Sequence, residues 1–196
     1  PVSTNAYKKV YAGLYDAFVM KLRSSGNSVA FSTYMGGTGD DRAYAVGSDL
    51  SGAFVYVGGS TASGLSETYP KAPKWGEPGF PDADRVPHNY TFNTGNFTDG
   101  WVAKINDAGA FSDYNNQYIT YLGASKNDRV RALSVQKDGT VIVAGETEGG
   151  TGNKGFPSSN TSTVNKGGLD VFVSKLSYNG RILNASTMFG GGGNES

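Results

Sequence analysis

Carboxylates set at recurring places are the residues of this chain best suited to chemistry. Asp40 and Asp41 close the run Gly37-Thr38-Gly39-Asp40-Asp41, and Asp128 closes Lys126-Asn127-Asp128. Carboxylate and backbone oxygens in short loops are the hard ligands that calcium prefers, so Asp40, Asp41 and Asp128 are candidate calcium ligands. Calcium takes six to eight oxygens, the runs supply only part of that set, and the spacing of an EF-hand is not met. The competing reading has these Asp side chains accept nearby backbone N–H groups and hold a turn. The run Gly190 to Gly193, followed by Asn194, loses the acidic pair. No other cofactor is expected.

His88 is the only histidine and cysteine is absent. A Ser-His-Asp triad would have to use His88 as its base, and nothing beside it resembles a nucleophile elbow. Multi-histidine and cysteine-based zinc sites are excluded within this sequence. Asp16, Asp99 and Asp170 recur with Lys21, Lys104 and Lys175 five residues on. A catalytic dyad copied at every recurrence is a poor reading, whereas Asp at a turn and Lys at a strand end suits construction.

Aromatic residues concentrate in the insert from Leu65 to Phe97, among prolines and the acids Glu67, Glu77, Asp82 and Asp84. Tyr69, Trp75, Tyr90 and Phe92 are the candidate partner- or sugar-binding residues, since exposed aromatics on a rigid platform suit a sugar ring or a protein surface. The alternative packs them down as a lid over the loop's own blade. Paired carboxylates here could in principle hydrolyse glycosides, though sequence spacing says nothing of their separation. N-x-Ser/Thr triplets begin at Asn89, Asn96, Asn160, Asn184 and Asn194. Composition alone accounts for some of these; Asn89, Asn96 and Asn160 fall in expected loops and are the candidate glycosylation sites.

What positions these residues is a repeat. Three copies of one pattern open Asp16-Ala17-Phe18-Val19-Met20-Lys21-Leu22, Asp99-Gly100-Trp101-Val102-Ala103-Lys104-Ile105 and Asp170-Val171-Phe172-Val173-Ser174-Lys175-Leu176. Each continues through a Gly-containing turn into a second strand that ends in Tyr34-Met35-Gly36-Gly37, Tyr121-Leu122-Gly123-Ala124 or Met188-Phe189-Gly190-Gly191. The first two go on to a third strand, Ala43 to Asp49 or Val130 to Val135, and a fourth, Ala53 to Val57 or Thr140 to Ala144. Four short strands joined by turns predict an antiparallel meander. The nearly continuous apolar character of the fourth strands suits strands covered on both faces. The fold expected is all-β: four-stranded antiparallel β-propeller blades, with an incomplete ring in this chain.

The spacing from Asp16 to Asp99 to Asp170 exceeds the roughly 40–50 residues of a four-stranded blade, so each unit carries an added connection. Residues 1–14 are expected to be the tail of a preceding repeat, because Pro1 to Leu14 lies where Pro157 to Leu169 does. The remaining division is 15–98 for the first repeat with its long insert at 62–98, 99–168 for the second, and 169–196 for a truncated third.

The elements Asp-Ala-Phe-Val-x-Lys-Leu, Ser-Thr-Tyr-Met-Gly-Gly-x-Gly-Asp-Asp and Gly-Phe-Pro (Gly79-Phe80-Pro81 and Gly155-Phe156-Pro157) resemble the SBBP-type β-propeller repeat, a blade unit of secreted and surface proteins. The resemblance covers most of the chain outside Leu65 to Asn93. It implies an extracellular or cell-surface, non-enzymatic structural or adhesive module that mediates protein–protein assembly, and it names no ligand.

Composition agrees with that class. Twenty-nine Gly with 12 Tyr and 10 Phe fit a turn-rich β chain. Seventeen basic residues balance 17 acidic ones and are interspersed with them, which argues against a nucleic-acid surface. No apolar run approaches the roughly 18–20 residues of a spanning helix, so no membrane span is expected. The partners expected are other protein chains or the rest of its own propeller, with carbohydrate as the first rival and a glycoside-acting enzyme as the second.

Overall fold

The computed structural model describes residues 2–4, 6–63, 97–109, 116–149, 156–157 and 167–195. Among these residues ten strands run in order: β1 Ala17–Leu22, β2 Val29–Met35, β3 Asp41–Ser48, β4 Phe54–Thr61, β5 Asp99–Asn106, β6 Tyr118–Leu122, β7 Asp128–Val135, β8 Val141–Thr147, β9 Asp170–Leu176 and β10 Leu183–Phe189. No helix occurs among the described residues. The hairpins close where the sequence puts glycine: Gly26, Gly109 and Gly180 hold φ of 70°, 71° and 68°. Their N–H groups bond Arg23 O, Asn106 O and Ser177 O at 2.8, 3.0 and 2.9 Å. An L side chain resists that left-handed backbone and glycine does not, so the same turn recurs in each copy.

All ladders between these strands are antiparallel, in the orders β1-β2, β3-β4-β5-β6 and β10-β9-β8-β7. The expectation that the four strands of one copy make one sheet is therefore corrected. Each four-stranded sheet takes the third and fourth strands of one copy and the first and second of the next. The segment from Gly36 to Asp40 carries the chain from one sheet to another, with Gly37 N donating to Asp41 Oδ2 at 2.7 Å. β4 and β5 pair directly, Phe54 with Asn106 through Thr61 with Asp99, so the long insert leaves and re-enters a single sheet. β8 and β9 do the same across the second connection.

The three sheets stack face to face, and strand alternation sorts their side chains into two cores. One core joins Ala17, Val19, Phe31 and Met35 of the β1-β2 pair to Val57, Trp101, Ala103, Ile105, Ile119 and Tyr121 of the middle sheet. The other joins Tyr56, Val102, Tyr118 and Leu122 on the opposite face of the middle sheet to Val130, Val141, Val143, Phe172, Leu176 and Met188. β5 is thus covered on both faces, buried from Asp99 to Ile105. The fourth strands share that coverage unequally. β4 is buried from Tyr56 onward, while β8 alternates buried with half-buried residues and leaves one face toward solvent.

A close approach repeats in both complete sheets. The ladder of β3 on β4 shifts register between Ala43 and Ala45, and that of β7 on β8 between Val130 and Ala132. Opposite each bulge stands a glycine, Gly59 or Gly145. A Cβ there would lie 1.7 Å from Arg42 O or 1.9 Å from Arg129 O. The neighbouring strand sets its aromatic into the space: Trp101 donates Nε1–H to Arg42 O at 3.2 Å, and the Phe172 ring lies over Gly145.

Candidate functional site

The first-strand Asp and the acid that heads the third strand come together at the start of each unit. The residue before the first-strand Asp takes the N–H of that acid: Asp41 N to Tyr15 O at 2.8 Å, Asp128 N to Thr98 O at 2.7 Å, and Glu195 N to Leu169 O at 2.6 Å. Between the carboxylates of the first pair sits Gly36, whose absent Cβ would meet Asp16 Oδ1 at 2.7 Å and Asp41 Oδ2 at 2.8 Å. Gly123 stands in the same relation to Asp99 and Asp128, at 2.4 and 3.0 Å. Only glycine leaves room for two carboxylates around one backbone position.

Each pair is neutralised differently. Asp16 has a fully buried side chain and receives Lys8 Nζ at 3.2 Å and Ala12 N at 3.0 Å. The same Lys8 ammonium donates to Gly36 O at 2.5 Å. Asp41 accepts from Thr61 Oγ1, from Ser63 Oγ at 2.7 Å and from Gly37 N at 2.7 Å. Burial nevertheless raises its pKa above the ordinary carboxylate value, against those hydrogen bonds and with the Asp16 charge adding to the rise. Asp128 accepts Ala124 N at 2.6 Å and a bond from Thr147, and Gly149 stands where the first copy has Ser63. Its Oδ1 has no hydrogen-bond partner. Burial pushes Asp128 well above the carboxylate range, with Asp99 and Glu148 adding to the rise.

The calcium candidates do not converge on one site. Asp40 holds Arg42 through both oxygens, at 2.7 and 2.9 Å, while Asp41 and Asp128 lie at the entries to two different sheets. No group of three or more His, Cys, Asp or Glu that could hold a metal occurs among the described residues. Tyr69, Trp75, Tyr90 and Phe92, the glycosylation candidates Asn89, Asn96 and Asn160, and His88 lie outside the described residues. The third copy keeps more of the pattern than its loop suggested: Glu195, not Asn194, occupies the position of Asp41. Counting from the Gly36–Gly123–Gly190 equivalence finds it.

Sequence reasoning missed Lys8, because its partner Asp16 is reached through a segment with no strand pattern. It also missed the recurrent contact made by the first-strand lysines. Lys21 Nζ reaches Asp107 Oδ2 at 3.2 Å and Lys104 Nζ reaches Tyr178 O at 3.0 Å, each in the hairpin turn of the next sheet. Lys104 lies in an aromatic cage, 4.3 Å from the Phe54 centroid, 5.5 Å from Tyr56 and 5.8 Å from Tyr178. That setting desolvates an ammonium against ring faces that attract it.

Along β1 the stack presents a different surface. A groove of about 330 Å³ runs between Phe18–Met20 on one wall and Ala43–Val46 on the other, with Val57 at its floor. A second of about 300 Å³ adjoins it at Tyr15, Arg42 and Tyr44, where the Arg42 guanidinium stacks 4.8 Å from the Tyr15 ring centroid. Among the described residues β1 pairs only with β2. Phe18, Met20 and Leu22 are 64 %, 47 % and 50 % exposed. Their repeat equivalents, Trp101, Ala103 and Ile105 in β5 and Phe172, Ser174 and Leu176 in β9, are all buried. No helix among the described residues is long and apolar enough to cross a membrane. No protein-family model and no curated protein matches the chain.

Proposed function

We propose that the chain is a β-propeller-type structural or adhesive module of an extracellular or cell-surface protein, non-enzymatic, and built to join other protein surfaces. The motifs that resemble SBBP repeats support the propeller reading, as do four-stranded antiparallel sheets stacked face to face, with the sheet-to-sheet lysine contact repeated. The carboxylate pairs fit construction better than catalysis, since Asp16, Asp41, Asp99 and Asp128 are closed off from solvent and tied into turns.

One observation carries the assembly reading: Phe18, Met20 and Leu22 are open to water at places where both other copies are buried. Large apolar groups gathered on one face mark an interaction surface. The reading expects a Phe18→Glu/Met20→Lys variant to fold as the parent does, by far-UV circular dichroism, and to lose association with protein partners. A glycan array and an oligosaccharide titration run beside it. Saturable sugar binding that survives the double substitution replaces the assembly reading with the carbohydrate-binding one.

A further inference from the structure

We propose that Lys8 and Asp16 join after folding in an intramolecular isopeptide bond, with Lys8 Nζ acylated by Asp16 Cγ and Asp41 relaying a proton. The inference goes beyond the assembly reading and does not rest on it. Lys8 Nζ lies 3.2 Å from Asp16 Oδ2, and the Asp16 side chain is fully buried. An amine held against one carboxyl gains the effective molarity of an intramolecular reaction. Burial also keeps away the bulk water that would otherwise solvate the two ions.

The two oxygens of Asp16 have different surroundings, and the difference fits an acyl transfer. Oδ2 accepts the Ala12 N–H at 3.0 Å as well as the Lys8 ammonium. That backbone donor stabilises the oxygen that gathers charge in the tetrahedral intermediate and stays on as the amide carbonyl. Oδ1 is buried and has no hydrogen-bond partner. It stands 2.7 Å, and Asp41 Oδ2 2.8 Å, from the one point that a Gly36 Cβ would fill. Burial raises the pKa of Asp41, so its carboxyl can hold a proton for an oxygen leaving from the Oδ1 side. Gly36 O, 2.5 Å from Nζ, is placed to accept the single N–H that the amide retains.

The step balances as a condensation. The Nζ–Cγ bond forms and the Cγ–Oδ1 bond breaks. Of the three ammonium protons one stays on nitrogen, and two leave with Oδ1 as water. One of those two passes by way of Asp41, which ends as it began. Net charge is unchanged, because a cation and an anion give a neutral amide. The freshly folded chain thus carries the ion pair and the matured chain the amide. Burial sets this pair apart rather than contact. Lys21 Nζ stands at the same 3.2 Å from Asp107 Oδ2, but those side chains are 40 % and 54 % exposed and both ions stay hydrated. Once the bond is made, tension along the chain at this point is carried through the side-chain amide and bypasses residues 9–15.

Intact mass spectrometry of the denatured chain, sampled over several days after refolding, tests it. The expected result is the progressive loss of one water. A tryptic digest is then expected to yield a branched peptide, with residues 1–9 joined to residues 10–21 through Lys8 and Asp16. Lys8→Arg keeps the positive charge but not the amine, and is expected to retain full mass, as is Asp16→Ala. Asp41→Asn is expected to slow the loss about a hundred-fold or more while far-UV circular dichroism stays that of the parent. Wild-type chain that folds and keeps its full mass overturns the proposal, whatever the variants do. Water lost without a branched peptide, as in a succinimide at Asp16, also overturns it. A branch at Lys21 and Asp107 as abundant as that at Lys8 and Asp16 overturns the argument from burial. Loss at the parent rate in a folded Asp41→Asn chain overturns the relay.

Discussion

Replacing Lys8 by Met removes the ammonium that sits between Asp16 and the Gly36 carbonyl while keeping an unbranched apolar stem. The Asp16 side chain is fully buried and that of Lys8 is 18 % exposed. Stripping one partner from a buried ion pair costs about 3–5 kcal/mol when the remaining charge is fully enclosed. Water reaches Lys8, and Asp16 keeps the Ala12 N–H, so a discount is due; the Gly36 carbonyl loses its donor as well, which restores part of it. The expected loss is about 2–3 kcal/mol, or roughly 4–12 °C in Tm for a chain of this size. Urea unfolding followed by tryptophan emission reads it out, since Trp101 is wholly buried in the core that β1 and β2 share with the middle sheet. Asp16→Asn in the Lys8→Met background removes the stranded charge and is expected to recover about half of the loss. A Lys8→Met chain within about 0.5 kcal/mol of wild type, or a double-mutant cycle with no coupling, refutes the assignment of Lys8 as the counter-charge.

The remaining predictions follow the same geometry. Asp128 has a folded-state pKa raised by burial, so its contribution is fully present below its unfolded value and lost as pH rises through the folded one. Asp128→Asn is therefore expected to gain stability relative to wild type between mildly acidic and alkaline pH, as urea midpoints across that range will report. A flat difference between the two proteins refutes it. Gly145→Ala places a Cβ against Arg129 O and the Phe172 ring and is expected to cost about 2–3 kcal/mol by thermal denaturation. Gly52→Ala, at φ +70° in open space, is expected to cost about 1–2 kcal/mol. Trp101→Ala empties a fully buried site and is expected to cost about 3–5 kcal/mol in urea. Trp101→Phe retains most of the ring volume while giving up the bond to Arg42 O, so its loss should be smaller by more than half.

The strands were legible because their signals are local. The recurring apolar runs and the turns between them located the strands seen among the described residues, and the third-strand ladders begin slightly earlier than expected, at Asp41 and Asp128. The grouping of strands into sheets was not legible, for a physical reason. A repeat is cyclic and has no intrinsic starting point, and the pairing of β4 with β5 spans an insert that sequence spacing treats as a boundary. The carboxylates were visible as recurrent residues, but not as partners, since Asp16 and Asp41 meet only through a glycine that neither flanks in sequence. Lys8 and Glu195 show the two ways such a site escapes notice. One arrives from a segment without a pattern. The other was hidden by a polyglycine run that shifts attention to Asn194.

The two-strand offset between repeat and sheet bears on how such a chain changes length over generations. Suppose a recombination event removes one repeat, joining the chain after β4 directly to the segment that leads into β9. The result would be a sheet ordered β3-β4-β9-β10, with four strands and no remnant. Duplication of a repeat inserts one whole sheet in the same way. Because each four-stranded sheet is shared between two successive copies, the crossover point can fall anywhere within the unit and still leave complete sheets on both sides. Copy number is then free to drift, while the register of each ladder and the glycine beneath each aromatic are inherited intact.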